Sequence, residues 1–484
     1  MGQTAAIIGG GVIGGAWAAR FLLNGWDVRV FDPDPEAERK ISEVLDNARR
    51  ATPSLTDLAL PPEGALSFHP TVEEAARGAA YIQESVPERM DIKTQTFARI
   101  LEGAEPDAVI GSSTSSFTPS TLYEGQADRS RIMVCHPFNP VYLLPLVEVV
   151  GGPETDPAAI DRTMAILAGI GMKPLKIEKE ILGHIADRLL EAVWREGLWL
   201  VNDGVCDTAT LDDAIRFGFG LRWAQMGLFE TYRIAGGEAG MLHFIAQFGP
   251  TMDWPLCHMD KVPDLNDALV ARVAAQSDAQ SGHHSIRDLE RIRDANLVAM
   301  MRALKANGWG AGQILADHDR ALRAAQLAPD LTGLVRTVDR QVPLDWVDYN
   351  GHMNEARYLQ AFGDATDRMM ELLGCDADYI ATGGSFFTAE THIRHLGEVS
   401  IGQRIVIDTQ VLIGEGKKLH LFHRLMDLDG TVLATGEHML LHVSLATRRA
   451  EPPPDWMAAR IAAVAADHAL LPVPEGAGAA VGVR

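Results

Sequence analysis

Long apolar runs and an excess of positive charge are both absent from the sequence. No apolar stretch reaches the roughly 18 to 20 residues that a membrane-spanning helix needs, so none is expected. The chain carries 43 Lys and Arg against 65 Asp and Glu, a formal net charge of −22. This balance argues against broad contact with nucleic acid or an anionic membrane. We expect small-molecule partners instead, because their binding depends on one local pocket.

Cysteine is scarce as well. The four cysteines form no C-x-x-C pair, which excludes the usual spacing of a disulfide framework or a zinc site. The sequence therefore predicts no metal ion, and few cysteines are typical of a reducing compartment, so we expect a cytoplasmic protein. At 484 residues the chain exceeds one ordinary core, and two or three domains are expected.

The stretch GGGVIG near the amino terminus predicts a dinucleotide site. Gly9, Gly11 and Gly14 fill a G-x-G-x-x-G frame between an apolar strand and a helix. In that frame the first glycine permits a sharp turn, the second lets a pyrophosphate approach, and the third lets the helix pack on the strand. The pyrophosphate would lie at the helix N-terminus, where N–H groups favour an anion. The residues expected to contact the dinucleotide are Gly9, Gly10, Gly11, Val12, Ile13 and Gly14.

The second strand favours NAD as this dinucleotide. It ends at Asp32, whose carboxylate suits the ribose 2′-hydroxyl, and the following PDPE offers no cation for a 2′-phosphate. A purely structural glycine turn is the alternative. Further apolar runs, separated by helical patterns such as residues 91–101, predict a doubly wound parallel α/β sheet. These runs are AAYIQESV, DAVIGSS, RIMVCHPF and LPLVEVV.

Two of these runs hold the candidate chemistry, His136 and Glu148. Glu148 lies inside LVEVV, where a carboxylate is costly without a partner. An imidazole is a natural partner, because the acid fixes its tautomer and stabilises its protonated form. Such a pair could take the hydroxyl proton while hydride leaves a secondary alcohol for nicotinamide. A satisfied structural histidine explains the spacing equally well.

Together with the serine-rich stretch SSTSSFTPS, these segments resemble the 3-hydroxyacyl-CoA dehydrogenase superfamily. There, a Ser-rich strand end precedes an H-x-F-N-P segment and an E-V strand, as in this chain. The resemblance implies that His136 is the general base and Glu148 its partner. It also implies that Ser115 binds the substrate oxygen and that Glu88 and Lys93 lie near the nicotinamide.

Within the superfamily, the segments IADRLLEAVWRE, LPLVEVVGG and FGLRWAQMG most resemble the L-carnitine dehydrogenases. Asp187 stands where members with long acyl substrates have Asn, which implies a differently charged substrate. The L-gulonate and 3-hydroxyacyl-CoA dehydrogenases are the alternatives. Because the helical region after the sheet pairs subunits in this superfamily, the resemblance also implies a homodimer.

Carnitine would need recognition at both of its charged ends. A trimethylammonium group donates no N–H hydrogen bond, so aromatic faces with a nearby acid should hold it. The carboxylate at the other end needs a cation. The candidates are Asp187, Phe138 and Trp223 for the ammonium and Arg222, Arg188 or Arg195 for the carboxylate. For the aromatic residues, a contact in the core or at a dimer interface is the alternative.

From about residue 331 the pattern changes to strands around one helix. Residues 354–373 place apolar side chains on one helical face, and Gly374 is suited to cap the helix end. One helix packed on an antiparallel sheet resembles the hotdog domain. The strand runs are LVRTVDRQV, SFFTAETHIRH, RIVIDTQVLI, KLHLFHRLMDL and TVLATGEHMLLHVS.

The stretch WVDYNGHMNEARY resembles the D-x-x-G-H-x-N signature of hotdog acyl-CoA thioesterases. Gly351 permits a tight turn, and the helix N-terminus can polarise a thioester carbonyl. The resemblance implies that Asp348 is the nucleophile or the base for water, with His352 and Asn354 ordering the turn. A capping role for Asp348 is one alternative, and the neighbouring Asp345 is a competing candidate.

The sequence thus predicts three domains and a tail. They are an α/β NAD-binding Rossmann domain (1–180), an all-α substrate and dimerisation domain (181–330), an α+β hotdog domain (331–450) and a tail (451–484) with a disordered end. The resemblances imply a bifunctional enzyme that oxidises L-carnitine with NAD and hydrolyses an acyl-CoA, expected to be betainyl-CoA. The alternative is an L-gulonate or 3-hydroxyacyl-CoA dehydrogenase whose hotdog domain is non-catalytic or of different specificity.

Overall fold

The computed structural model describes residues 3–249, 257–258, 262–326 and 328–479. The chain divides into two compact units. The first comprises Met1–Arg49 and Pro61–His318, and the second comprises Arg50–Leu60 and Asp319–Arg484. The second unit therefore includes a short segment that the sequence places in the first domain.

The first unit contains one eight-stranded sheet. Its strands are β1 (Thr4–Ile8), β2 (Asp27–Phe31), β3 (Leu66–Phe68), β4 (Tyr81–Glu84), β5 (Val109–Ser112), β6 (Ile132–Pro137), β7 (Leu146–Val150) and β8 (Lys173–Ile177). The strand order is β3-β2-β1-β4-β5-β6-β7-β8. The predicted doubly wound α/β class is confirmed, and the glycine turn follows β1 at the point where the strand order reverses.

One strand departs from the expected parallel pattern. LPLVEVV was predicted to continue the parallel sheet, but β7 pairs with β6 in the antiparallel sense. The connection, residues 138–145, is shorter than the dozen or so residues that a parallel crossover needs. The reversal places His136 directly opposite Glu148 in the strand register.

Six helices accompany this sheet. They are α1 (Val12–Leu23), α2 (Ala37–Ala51), α3 (Val72–Ala76), α4 (Met90–Gly103), α5 (Pro119–Leu122) and α6 (Pro157–Gly169). The central strands are buried along almost their whole length, as in a parallel sheet covered on both faces. The core on one face joins residues such as Ile8, Phe97, Ile110 and Val134.

After β8 the described chain is helical up to residue 325, as the sequence predicted. The helices are α7 (Ala186–Asn202), α8 (Thr208–Ala214), α9 (Gly220–Ala235), α10 (Gly240–Phe248), α11 (Asp267–Ser281), α12 (Ile286–Ala306) and α13 (Ala311–Ala325). Helix α12 begins with a capping box formed by Ser285 and Asp288. Among the described residues, none of the helices has the length and apolar character that a membrane crossing requires.

The second unit is a hotdog-like sheet and helix, which confirms the predicted fold class. Its strands are β9 (Val335–Gln341), β10 (Gly384–His395), β11 (Arg404–Glu415), β12 (Lys418–Met426), β13 (Val432–Ser444) and β14 (Arg449–Ala450). Its sheet is antiparallel in the order β10-β13-β12-β11-β9, with β14 paired to β13. Its helices are α14 (Glu355–Leu373), α15 (Ala377–Ala381) and α16 (Asp455–His468).

The central helix α14 has the predicted ends and the predicted apolar face. The side chain of Asn354 accepts a hydrogen bond from the amide of Ala356 at 3.0 Å and caps the N-terminus. Gly374 has a φ of +100° at the C-terminus, where a side chain would be strained. Tyr358 and Phe362 lie on the buried face against the sheet.

Helix α16, within the segment that the sequence assigns to a tail, packs into the same unit. Met457, Ile461 and Val464 are buried in one cluster with residues of α14 and of the sheet. Of the end predicted to be disordered, residues 480–484 lie outside the described chain. Before them, the amide of Gly478 donates to the carboxylate of Glu437 at 2.9 Å.

The segment Arg50–Leu60 is bound to the first strand of the second unit. The amide of Ala59 donates to the carbonyl of Asp339 at 2.7 Å. The amide of Leu344 donates to the hydroxyl of Ser54 at 3.2 Å. Arg340 has only 1% of its side chain exposed, and its guanidinium contacts Asp57 at 3.0 Å. The same guanidinium reaches Asp364 at 3.4 Å and lies 4.3 Å from the Trp346 ring.

Arg340→Met should therefore destabilise the second unit. Both of its carboxylate partners are partly hydrated, so we expect a loss of about 2 kcal/mol, below the roughly 3–5 kcal/mol for breaking a fully buried pair. The matched control is Arg336→Met on the same strand, whose exposed guanidinium pairs with Asp408. The control should lose less than about 1 kcal/mol. Denaturant unfolding of the full chain measures both, and equal losses would contradict the assignment.

Candidate active sites

The glycine turn after β1 has the geometry of a dinucleotide loop. Gly9 has a φ of +101°, and a Cβ there would lie 2.6 Å from the carbonyl oxygen of Ser85. A Cβ on Gly14 would lie 1.8 Å from the carbonyl oxygen of Gly9, so only glycine lets α1 approach the strand this closely. A Cβ on Gly11 would meet nothing within 4 Å. The backbone at Gly11 is thus open to a bound group.

The N-terminus of α1 is free to receive an anion. Gly11 is its capping residue, no side-chain hydrogen bond among the described residues caps it, and no acidic residue lies in its first turn. Val12, the first residue of the helix, is 62% exposed. Its uncapped N–H groups and its dipole suit a pyrophosphate.

Asp32 lies just after β2 and faces the glycine turn. One carboxylate oxygen accepts from the amide of Gly10 at 2.5 Å, and the other accepts from the amide of Asp34 at 2.7 Å. These bonds fix the carboxylate beside the turn, where a ribose hydroxyl of NAD could bind it. The loop, the helix N-terminus and Asp32 together fit NAD.

Lys93 and Glu88, predicted near the nicotinamide, meet a third residue that the sequence did not suggest. The Lys93 ammonium lies 2.9 Å from Glu84 and 3.2 Å from Glu88. Glu84 is fully buried and also accepts from the Ser112 hydroxyl at 2.5 Å. Burial raises the pKa of Glu84, and Lys93 opposes the rise. The sequence did contain an indication of its role, because Glu84 is a carboxylate at the end of the apolar run AAYIQE. Glu148 was recognised from the same kind of pattern.

His136 and Glu148 form the pair that the sequence suggested. The His136 Nδ1 lies 3.0 Å from a Glu148 oxygen, and Glu148 is fully buried. The second oxygen of Glu148 accepts from the amides of Ile185 and Ala186, each at 2.9 Å, at the start of α7. Burial alone would raise the pKa of Glu148, but the hydrogen bonds from His136 and from both amides hold it below its usual value. An ionised Glu148 keeps the proton of His136 on Nδ1 and leaves Nε2 free to act as a base.

A second histidine, His184, lies beside this pair and was missed by the sequence reasoning. Its ring is 5.4 Å from the His136 ring, and Phe138 contacts the His136 ring edge-on at 4.9 Å. His184 Nε2 donates to the carbonyl of Thr114 at 3.1 Å, one residue before Ser115. The signal for it was weak, since GHIADR places the histidine in an ordinary strand-to-helix connection.

A cleft of about 560 Å³ lies between the serine loop and α7. Ser115 and Phe117 line one side. The α7 side carries two carboxylates and two guanidinium groups. Among them, Arg195 pairs with Glu191 at 3.2 Å. The four charged lining residues are Asp187, Arg188, Glu191 and Arg195.

The structure brings some of the sequence candidates to this cleft and leaves others elsewhere. Asp187, Arg188 and Arg195 line it, and Glu191 is an addition. Arg222 and Trp223 lie on α9 and are not among its described lining residues. The Trp223 ring packs on Phe219 at 4.6 Å. The sequence could not show which of the candidate arginines reaches the substrate carboxylate. That choice depends on which face of each helix is turned toward Ser115.

The second unit presents Asp348 on a tight turn before α14. Gly351 has a φ of +79°, and its amide donates to the carbonyl of Asp348 at 3.0 Å. One Asp348 carboxylate oxygen accepts from the amide of Asn350 at 2.8 Å. His352 lies 3.5 Å from Glu398, and Asn354 caps α14 as described above. Asp348 therefore orders the turn and keeps a partly exposed carboxylate next to a helix N-terminus.

Family models match most of the chain. The model for the NAD-binding domain of 3-hydroxyacyl-CoA dehydrogenase matches residues 4–181, and the model for the C-terminal domain of the same enzyme matches residues 183–266. The thioesterase-like superfamily matches residues 342–461. These matches confirm NAD as the cofactor and agree with the two folds described above.

Full-length relatives combine the same parts. The L-carnitine dehydrogenase/betainyl-CoA thioesterase of Ruegeria pomeroyi is 62% identical over 482 residues, which cover 99% of each chain. The L-carnitine dehydrogenase of Pseudomonas putida is 49% identical over 318 residues, covering 65% of this chain and 98% of the relative. A solved structure, that of the NAD-dependent dismutase 5-formyl-3-hydroxy-2-methylpyridine 4-carboxylic acid 5-dehydrogenase, is 26% identical with a TM-score of 0.55. It covers 63% of this chain and 99% of its own. The chain belongs to the L-carnitine dehydrogenase/betainyl-CoA thioesterase family.

Proposed function

We propose that this chain oxidises L-carnitine to 3-dehydrocarnitine with NAD and hydrolyses betainyl-CoA to glycine betaine and CoA. The observation that carries the proposal is the buried His136–Glu148 pair, together with a charged cleft lined by the neighbouring serine loop. The L-carnitine dehydrogenase/betainyl-CoA thioesterase of Ruegeria pomeroyi, which is similar to this chain over 99% of its length, supports the proposal. The divisions at residues 180, 330 and 450 remain part of the proposal. The ranges of the family models support the first two, whereas the thioesterase-like match continues past residue 450 to residue 461.

In the oxidation, His136 takes the proton of the C3 hydroxyl through Nε2. NAD, when bound at the glycine turn, would supply the hydride acceptor for C3. Glu148 stabilises the imidazolium that forms, and Ser115 donates a hydrogen bond to the substrate oxygen as it becomes a carbonyl. The products are 3-dehydrocarnitine, NADH and one proton. Glu88 and Lys93 order the nicotinamide side of the site through the ion pair between them.

The charges of α7 suit a zwitterionic substrate. Asp187 and Glu191 offer carboxylates to the trimethylammonium, and Phe117 offers an aromatic face in the same cleft. Arg188 and Arg195 offer guanidinium groups to the substrate carboxylate. Because Arg195 and Glu191 already pair with each other at 3.2 Å, Asp187 and Arg188 are the charges that a zwitterionic substrate would match most directly.

The first expected outcome is selectivity for L-carnitine. At alkaline pH, NADH should form with L-carnitine and far more slowly with D-carnitine, L-gulonate or 3-hydroxybutyryl-CoA. Asp187→Asn should raise the KM for L-carnitine about tenfold, which corresponds to about 1.4 kcal/mol. The same variant should leave turnover of 3-hydroxybutyrate, which lacks the ammonium, unchanged.

The matched control for this experiment is Asp203→Asn, at the far end of the same helix. It should behave as the wild type with every substrate. Turnover of gulonate or of the CoA ester in preference to L-carnitine would contradict the proposal. If Asp187→Asn changed the kinetics of L-carnitine and of 3-hydroxybutyrate equally, Asp187 would not be a ligand of the ammonium group.

For the thioesterase, the turn before α14 is the proposed catalytic element. Asp348 attacks the thioester carbonyl or activates the attacking water, and amide groups at the start of α14 can stabilise the oxyanion. Water adds to the carbonyl carbon, the C–S bond breaks, and the products are glycine betaine and the free CoA thiol. Asn354 and Gly351 hold the turn in place.

Asp348→Asn should reduce thiol release from betainyl-CoA by about a hundredfold or more, because the amide can neither attack nor accept a proton. The matched control is Asp345→Asn, three residues earlier in the same stretch, which should retain hydrolysis. Release of CoA is followed with a thiol reagent, and denaturant unfolding of the same preparations reports folding of the second unit. Unchanged hydrolysis in Asp348→Asn would favour a non-catalytic hotdog unit.

A homodimer and a cytoplasmic location complete the proposal. Apolar side chains on α7 are unusually exposed, with Leu189 and Leu190 at 56% and Trp194 at 58%. In a monomer such a row is rare and marks a surface that a partner covers. Strand β10 forms a long edge of its sheet, which a second copy could also cover. All four cysteines are free in the described chain, which suits a reducing compartment.

Sedimentation should give twice the 52.5 kDa chain mass. Leu190→Glu should shift the mass toward the monomer, because it places a charge in the apolar row. Leu470→Glu, at a side chain that is 86% exposed in the second unit, is the control and should sediment as the wild type. A monomeric wild type would contradict the dimer without affecting the two activities proposed above.

A further inference from the structure

His184 occupies an unusual backbone position. It lies in the connection between β8 and α7, directly after Gly183, and both residues have positive φ, 49° for His184 and 73° for Gly183. Among the described residues, the other non-glycine residue with a positive φ is Arg448. Histidine tolerates this conformation better than most side chains, but the strain persists only where the surrounding structure holds it.

The ring of His184 has a defined tautomer. A carbonyl oxygen only accepts hydrogen bonds, so the contact with the Thr114 carbonyl at 3.1 Å requires the proton on Nε2. Nδ1 then carries a lone pair, and it has no hydrogen-bond partner among the described residues. The side chain is fully buried, and burial together with the nearby His136 lowers its pKa. The ring is therefore neutral when the enzyme works at neutral or alkaline pH.

Thr114, the residue that His184 holds, makes further hydrogen bonds in the site. The hydroxyl of Thr114 donates to Glu88 and accepts from the amide of Phe117 at 3.0 Å. Ser115 follows Thr114 directly. One hydrogen bond from His184 thus fixes the backbone that carries Ser115, and through Glu88 it reaches Lys93.

The other side of His184 contacts the base. Its ring lies 5.4 Å from the His136 ring, and the next two amides along the chain hold Glu148. His184 thus contacts both the serine loop and the histidine base. We propose that His184 is a positioning residue for the oxidation, which sets the distance between the Ser115 hydroxyl and His136 Nε2.

This inference rests on the proposed dehydrogenase function and adds a requirement to it. Both groups must contact the same substrate oxygen as its proton leaves, so a shift in their separation lowers the rate of the chemical step. A displacement on the order of 1 Å costs up to about a hundredfold in rate. Binding of L-carnitine depends on the charges of α7 and should change little.

The test compares two variants that differ only in a donor. His184→Leu removes the hydrogen bond to Thr114, and His184→Gln can restore it through the side-chain amide. Neither residue favours positive φ, so the backbone strain is matched. We expect kcat for L-carnitine to fall about ten- to a hundredfold in the leucine variant and to recover to within about threefold in the glutamine variant. The KM should stay within about threefold in both.

Three controls keep the result interpretable. NADH fluorescence reports folding of the first unit, and betainyl-CoA hydrolysis reports folding of the second. His318→Leu removes another buried histidine of the first unit and should leave kcat unchanged. If the wild type does not oxidise L-carnitine, the proposed function fails, and the variants are then compared on the 3-hydroxy substrate that it does oxidise.

An unchanged kcat in His184→Leu would overturn the inference. So would equal losses in the leucine and glutamine variants with normal NADH binding, because packing alone would then explain them. If the leucine variant does not bind NADH, the glutamine variant decides. A loss in it larger than about tenfold then contradicts the role.

Discussion

The geometry of the dehydrogenase site depends on the buried carboxylate of Glu148. A buried carboxylate is tolerated only when its charge is paired and its oxygens are hydrogen-bonded. Glu148 meets that condition with groups from two distant parts of the chain, the His136 ring on β6 and the first amides of α7. The same bonds therefore orient the imidazole of His136 and fix where α7 begins. In doing so they also determine which face of α7 is turned toward the substrate.

The two units solve the problem of charge in different ways. In the first unit the charged groups that support the site are withdrawn from water, and Glu84, Lys93 and Glu148 are each at most 1% exposed. Ion pairs and hydrogen bonds within the protein replace hydration at these groups. In the second unit Asp348 keeps access to solvent on a glycine turn, and the backbone of the turn orients it. Proton removal from an alcohol needs the first arrangement, and attack on a large thioester is compatible with the second.

The sequence was sufficient for the fold classes and for the placement of residues whose local pattern has a physical cause. Glycines with clashing or positive-φ positions, an acid in an apolar strand and an Asn before an amphipathic helix each have a local physical cause. The sequence analysis did not identify three residues of the site, because their roles depend on residues far away in the sequence. They are His184, Glu84 and Glu191. The reversed strand β7 escaped because its apolar pattern is the same in either direction, and only the length of the connection decides it.

The segment Arg50–Leu60 has a consequence for the order of events during synthesis. It leaves the ribosome early, but the strand that receives it comes much later, and the bond between Ser54 and Leu344 spans 290 positions. At roughly 5–20 residues per second this delay is about 15 to 60 s. During that interval the nascent chain can complete the sheet of the first unit while the segment awaits β9. The second unit therefore cannot be completed until β9 has been synthesised, although one of its segments is made among the first 60 residues.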